Sequence, residues 1–271
     1  CASTRETAMN GQSGTTHWAL GILAAVGIFA APPLALAQDN PIRIAIEGQF
    51  PPFNYLDTNG ELQGFDVEIA DALCAAMKAE CEYVTQDWDE MIPGLLDDKY
   101  DAIISSMSMS DERRAVADFT ERYYDSPSIF ITNKQSDLEA FAPDDLAGKS
   151  IGVSLATSQE AYAKSLYGRS DIKVYGTSPE LYDGLAKGEV DVVFEDKLAA
   201  YDWLTNTKTG QCCEFRSEDI KDAAFFGDGA GIAVRKEEQD LKTALNAALA
   251  TITEDGTYNM INAKYFPFSI R

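Results

Sequence analysis

The chain repeats one unit. Gly94-Leu95 precedes Asp101 and the apolar run Ala102-Ile103-Ile104, and at the same spacing Gly184-Leu185 precedes Asp191 and the run Val192-Val193-Phe194. A short continuous apolar run after a helical segment is the pattern of a parallel strand buried on both faces. Around these two units, β-rich runs at residues 42–46, 82–86 and 101–105 alternate with helical stretches at 66–78 and 90–97. The cycle restarts with strands at 150–154, 173–175 and 191–195, and helices at 159–166, closed by Gly168, and 180–187. Such alternation specifies an α/β fold with mostly parallel sheets, here in two similar halves. Leu241, Leu245, Leu249 and Ile252 give a final long helix one apolar face, and Gly256 ends it. The expected lobes are residues 40–128 completed by 229–271, and residues 129–228. The chain then crosses twice, near 127–132 and 226–231, and two crossings form a hinge.

Composition narrows the function. With 22 Lys and Arg against 44 Asp and Glu the net charge is −22, which repels nucleic acid and anionic lipid. Residues 1–37 read as a leader removed on export. Residues 19–31 are an apolar run too short to span a bilayer comfortably, and Ala35-Leu36-Ala37 offers a cleavage site before Gln38, so the chain is expected to be exported. The single histidine, His17, lies in that leader. Without it the chain has no means to build a Ser-His-Asp or Cys-His site, and it lacks the commonest metal ligand. Among the five cysteines, Cys74 falls late in a helix and Cys81 at the next strand, which suits a short disulfide in an oxidising compartment. The adjacent Cys212 and Cys213 leave free thiols, a mutual bridge and a contact to another chain all open.

Chemistry concentrates where the first repeated strand ends. In DAIISSMSMSDERR, residues 101–114, the hydroxyls Ser105, Ser106 and Ser108 are followed by a helix start, capped by Ser110, that carries Arg113. A guanidinium clamps a carboxylate through two donors, and hydroxyls with helix N-terminal amides add more. In the register of the repeat, Ser105-Ser106 corresponds to Glu195-Asp196. Ligands in open α/β sheets bind beyond the carboxyl ends of strands, so the two strand ends are placed to face one cleft.

Taken together, EGQFPPFNY at 47–55, GELQGFDVEIADALC at 60–74, DAIISSMSMSDER, GVSLATSQEAY at 152–162, FGDGAGIAVRK at 226–236 and EDGTYNMINAKYF at 254–266 carry a resemblance over residues 42–268. The chain resembles the amino-acid-specific periplasmic solute-binding proteins of bacterial ABC importers, nearest the lysine/arginine/ornithine and histidine binding group. The resemblance implies a periplasmic binding protein-like type II fold that closes on an L-amino acid and delivers it to membrane permease subunits. It implies a monomer with no cofactor, metal or enzymatic activity. Carried over by position, Arg113 holds the ligand α-carboxylate with Ser108, Thr157 and Ser158, while Asp196 accepts from the α-ammonium with Ser106 beside it. Selection then falls to Glu47, Phe50, Trp88, Ser105 and Gln159. Two aromatic rings suit an aliphatic stem or a flat guanidinium, and Glu47 stands where binders of cationic amino acids carry an acid. Relatives often have Asp and Tyr where this chain has Glu47 and Phe50, and Ser154 replaces an apolar residue of the cleft wall. Arginine, lysine, ornithine or histidine is the expected ligand. The alternatives are a polar neutral amino acid, an opine, or a periplasmic cyclohexadienyl dehydratase-like enzyme on the same scaffold. Phe65-Asp66 is expected to cap a helix rather than to touch ligand.

Overall fold

The computed structural model describes residues 40–271, so the expected leader at 1–37 lies outside the described residues. Strands collect into two five-stranded sheets. In the first, Cys81–Thr85, Ile42–Ile46 and Ala102–Ile103 run parallel, and Ala233–Val234 then pairs antiparallel with both Ala102–Ile103 and Asp118–Phe119. In the second, Asp171–Tyr175, Ser150–Ser154 and Val192–Asp196 run parallel, with Ser128–Asn133 antiparallel beside Val192–Asp196 and Cys213–Phe215 at the edge. A small meander, Gln49–Phe50, Asn54–Leu56 and Leu62–Gln63, follows the first strand.

Apolar periodicity explains how the helices cover these sheets. Phe65–Met77 buries Val67, Ile69, Ala70, Leu73 and Cys74, and Gln239–Glu254 buries Leu241, Leu245, Leu249 and Ile252 against the same core. The repeated glycines have one cause. Gly94 lies so close to the Tyr100 ring that a Cβ would sit 2.3 Å from its Oη, and Gly184 meets Tyr175 in the same way at 2.4 Å. In each half, then, a helix is allowed to approach a tyrosine, Tyr100 just before a strand of the first sheet and Tyr175 at the end of a strand of the second.

Three expectations change in detail. The strand expected at 101–105 keeps its ladder only over Ala102–Ile103. Beyond it Ser106 takes a left-handed conformation, φ +55°, and its N–H donates to Tyr123 Oη at 2.9 Å. The helix expected to close at Gly168 ends one residue earlier, at Tyr167, whose N–H bonds to Ala163. Asp66 is no cap: it is fully buried in the first turn of Phe65–Met77 and accepts from Asn54 Nδ2, Ser106 Oγ and Tyr123 Oη, each at 2.8 Å. Cys74 and Cys81 form a disulfide with Cα atoms 6.3 Å apart, tying that helix to the strand after it. Cys212 and Cys213 are bonded to each other.

Candidate ligand-binding site

A cavity of about 330 Å³ lies between the carboxyl ends of the two sheets' parallel strands. All twelve residues singled out in the sequence line it: Glu47, Phe50, Trp88, Ser105, Ser106, Ser108 and Arg113 from elements around the first sheet, and Ser154, Thr157, Ser158, Gln159 and Asp196 from the second. Glu47, Ser105, Ser106, Ser154 and Asp196 come from the ends of parallel strands or the residues just after them, while Trp88, Arg113, Ser158 and Gln159 come from the helices that follow and Phe50 from the small meander.

Arg113 is the positive pole. Its Nη1 donates to Ser108 Oγ at 2.6 Å and to the Ser108 carbonyl at 3.1 Å, its Nη2 donates to the Ala156 carbonyl at 3.1 Å, and its guanidinium lies 5.1 Å from the centre of the Trp88 ring. Burial pulls its pKa down to about 10, against the supporting charge of Glu112. Ser110 Oγ caps the short helix by accepting from the Arg113 N–H, so the capping serine and the charged clamp are parts of one device. On the opposite wall Ala156 is left-handed, φ +55°, and Thr157 caps Ser158–Leu166 by accepting from the Glu160 N–H at 3.1 Å. Gln159 Nε2 donates to Ser128 Oγ at 3.0 Å.

Six acids line the cavity, and three of them, Asp196, Glu47 and Glu195, are raised by burial. Asp196 caps Lys197–Asn206 through Oδ1, which accepts from Leu198 and Ala199 at 2.8 and 3.0 Å. Burial pushes it up to about 6. Glu47 follows the first strand, its N–H bonded to Ser105 Oγ at 3.1 Å. Burial, with the charges of Glu195, Asp87 and Asp66, pushes its carboxyl up to about 7. The third acid, Glu195, was passed over in the sequence. It is 2% exposed, also lines the cavity, and is raised to about 7, chiefly by burial. The signal was in the repeat, whose register sets Glu195 against Ser105; Asp196 alone had drawn a role. Phe50 completes the wall, its ring stacked on Phe53 with centroids 5.4 Å apart.

Such a site can hold a zwitterion by both ends while leaving acidic groups for a further positive charge. The same elements are those of a known family, whose model matches residues 42–268. The chain belongs to the bacterial extracellular solute-binding proteins, family 3. Within it, the L-arginine-binding protein of Pseudomonas aeruginosa is 38% identical over 92% of this chain and 97% of its own length. The lysine/arginine/ornithine-binding periplasmic protein of Escherichia coli is 33% identical over 93% of this chain and 97% of its own. Among solved structures, a periplasmic His/Glu/Gln/Arg/opine family-binding protein from Silicibacter pomeroyi in complex with lysine matches with a TM-score of 0.75 and 31% identity, covering 85% of this chain and 99% of that one. The fold of this solute-binding protein is accordingly the two-lobed type II periplasmic binding fold. Family 3 is defined by solute binding, and these curated relatives are binding proteins rather than enzymes.

Proposed function

We propose that this protein is a periplasmic receptor for a cationic L-amino acid, which it captures by lobe closure and hands to the permease of an ABC importer. One observation carries the reading: a single cavity joins a half-buried Arg113, held by neutral acceptors, to Asp196 and to Glu47 beside the aromatic rings of Phe50 and Trp88. Arg113 supplies the bidentate charge for an α-carboxylate, and Ser108, Thr157 and Ser158 surround it. Asp196 is oriented by its helix cap and keeps Oδ2 for an α-ammonium. Beyond this zwitterion clamp, Glu47 meets the positive end of the side chain. The lobes proposed are residues 40–128 with 229–271, and 129–228, moving about the crossings near 127–132 and 226–231. The names of the relatives support the ligand class. A monomer, exported through cleavage after residue 37, completes the proposal.

Calorimetry on ligand-stripped protein against the twenty L-amino acids, ornithine and citrulline tests it. Saturable binding confined to arginine, lysine, ornithine or histidine is expected. Arg113→Ala should weaken that binding by more than about 2 kcal/mol, because the ligand carboxylate is then buried without its partner. Binding of neutral residues alone would sink the cationic reading, and an Arg113→Ala variant as tight as wild type would displace the clamp.

A further inference from the structure

We propose that Glu195 is a specificity-determining residue which, with Glu47, forms a two-carboxylate receptor for a side-chain guanidinium, one acid from each sheet. This deepens, and rests on, the reading of the cavity as a receptor for cationic amino acids. Glu195 sits at the end of Val192–Asp196, buried, on the cavity wall. Its Oε2 accepts from Ser154 Oγ and Ser178 Oγ, each at 3.1 Å, and its Oε1 accepts from the Asp196 N–H at 2.8 Å. A carboxylate has about four acceptor sites, so one remains open. All three protein donors are neutral, and the Asp196 charge lies beside it and the Glu47 charge on the same cavity. A buried acid among acids is costly unless a cation completes the group.

The hydroxyls sharpen the choice of cation. Once Ser154 and Ser178 give their protons to Glu195, both oxygens are left as acceptors, and both line the cavity. Beside the two carboxylates these hydroxyls therefore add acceptors rather than donors. A guanidinium presents five donors in a plane and no acceptor, whereas a carboxamide or ureido group brings a carbonyl oxygen to which Glu47, Glu195, Ser154 and Ser178, so arranged, offer no donor. Ser154 thereby orients Glu195 and extends the acceptor surface. The ligands selected are arginine and derivatives that keep its guanidinium, ahead of citrulline and glutamine.

The test is calorimetric titration of arginine, citrulline and glutamine into ligand-stripped wild type, Glu195→Gln and Glu47→Gln at pH 8, with thermal melts of each ligand-free variant. Glu195→Gln should weaken arginine at least tenfold while glutamine changes less than threefold or tightens. In Glu47→Gln, Glu195 alone should still favour arginine over citrulline by tenfold or so, a comparison that stands even if Glu195→Gln does not fold. Arginine affinity within threefold of wild type in Glu195→Gln, an equal loss for arginine and glutamine, or an arginine preference abolished in Glu47→Gln would overturn the role of Glu195. Failure of wild type to bind any cationic amino acid would instead overturn the receptor reading on which it rests.

Discussion

Glu47 and Glu195, both raised to about 7 chiefly by burial, tie stability and binding to pH in opposite directions. A buried acid with a raised pKa keeps its proton in the folded state at pH values where the unfolded chain has released it. Between about 4.5, the unfolded value, and about 7 the folded protein therefore binds more protons, and stability falls as pH rises. Asp118 acts the other way, since Gln239 and Lys242 outweigh its burial and hold it at about 2, but its window closes near 3.8. The ligand-free protein should thus melt at a higher temperature at pH 5.5 than at pH 8, and the Glu47→Gln, Glu195→Gln double variant should lose most of that slope. Arginine affinity should instead rise from pH 5.5 to 8, because a cation binds the ionised acids. A melting temperature that climbs with pH, or an affinity flat across the range, would mean that these carboxyls are already ionised in the empty site. Legibility in sequence divides by locality here. Arg113 stands three residues from its cap, and Asp196 caps the helix that follows it, so both could be placed by local pattern. Asp66 could not: its partners Asn54, Ser106 and Tyr123 lie 12, 40 and 57 residues away, and only the fold brings them to it.

Elements were legible where a periodicity or a spacing has a packing cause. The Gly-Leu echo is such a case, because each glycine clears a place for a tyrosine. The two places differ in how much they can give. Tyr100 is fully buried, with its hydroxyl bonded to the Met91 carbonyl at 2.6 Å, whereas Tyr175 ends an edge strand and is only partly buried. Gly94→Ala must therefore push a fixed ring and should cost about 1–3 kcal/mol, the range for overpacking. Gly184→Ala should cost less, because the Tyr175 ring can swing toward solvent. Urea denaturation of both variants checks the order; an equal gain in stability would show that helix propensity, which favours alanine at both sites, and not the tyrosine, sets the outcome. The truncated strand Ala102–Ile103 was less visible, for its apolar run continues into Ile104. What stops the ladder is the left-handed turn at Ser106, fixed by Tyr123 and Asp66 from elsewhere in the chain.

At the scale of the molecule, three hydrogen bonds connect the first sheet's elements to the turn that opens Ser158–Leu166. Trp88 Nε1 donates to the Ala156 carbonyl at 3.0 Å, Arg113 Nη2 donates to the same carbonyl at 3.1 Å, and Ser108 Oγ lies 2.8 Å from Ser158 Oγ. On the proposed assignment Arg113 and Ser108 also hold the ligand carboxylate, so the groups proposed to hold ligand overlap with those that bridge to this turn. A ligand that fixes Arg113 with its carboxylate therefore stabilises this closed arrangement over any open one, in proportion to the contacts it makes only when the lobes meet. Trp88 separates the two effects, because its indole N–H bonds across the cleft while its ring face stacks on Arg113. Trp88→Phe keeps an aromatic face and loses the bond, which should weaken arginine by about 1 kcal/mol, the usual net worth of such a hydrogen bond. Most of the loss should fall on dissociation, since the bond forms only after encounter. Small-angle scattering should show wild type contracting as arginine saturates it, and the variant should contract equally once saturated. Stopped-flow rates would place the defect: a slowed association with unchanged dissociation would move the role of Trp88 from holding the lobes shut to the ligand's entry.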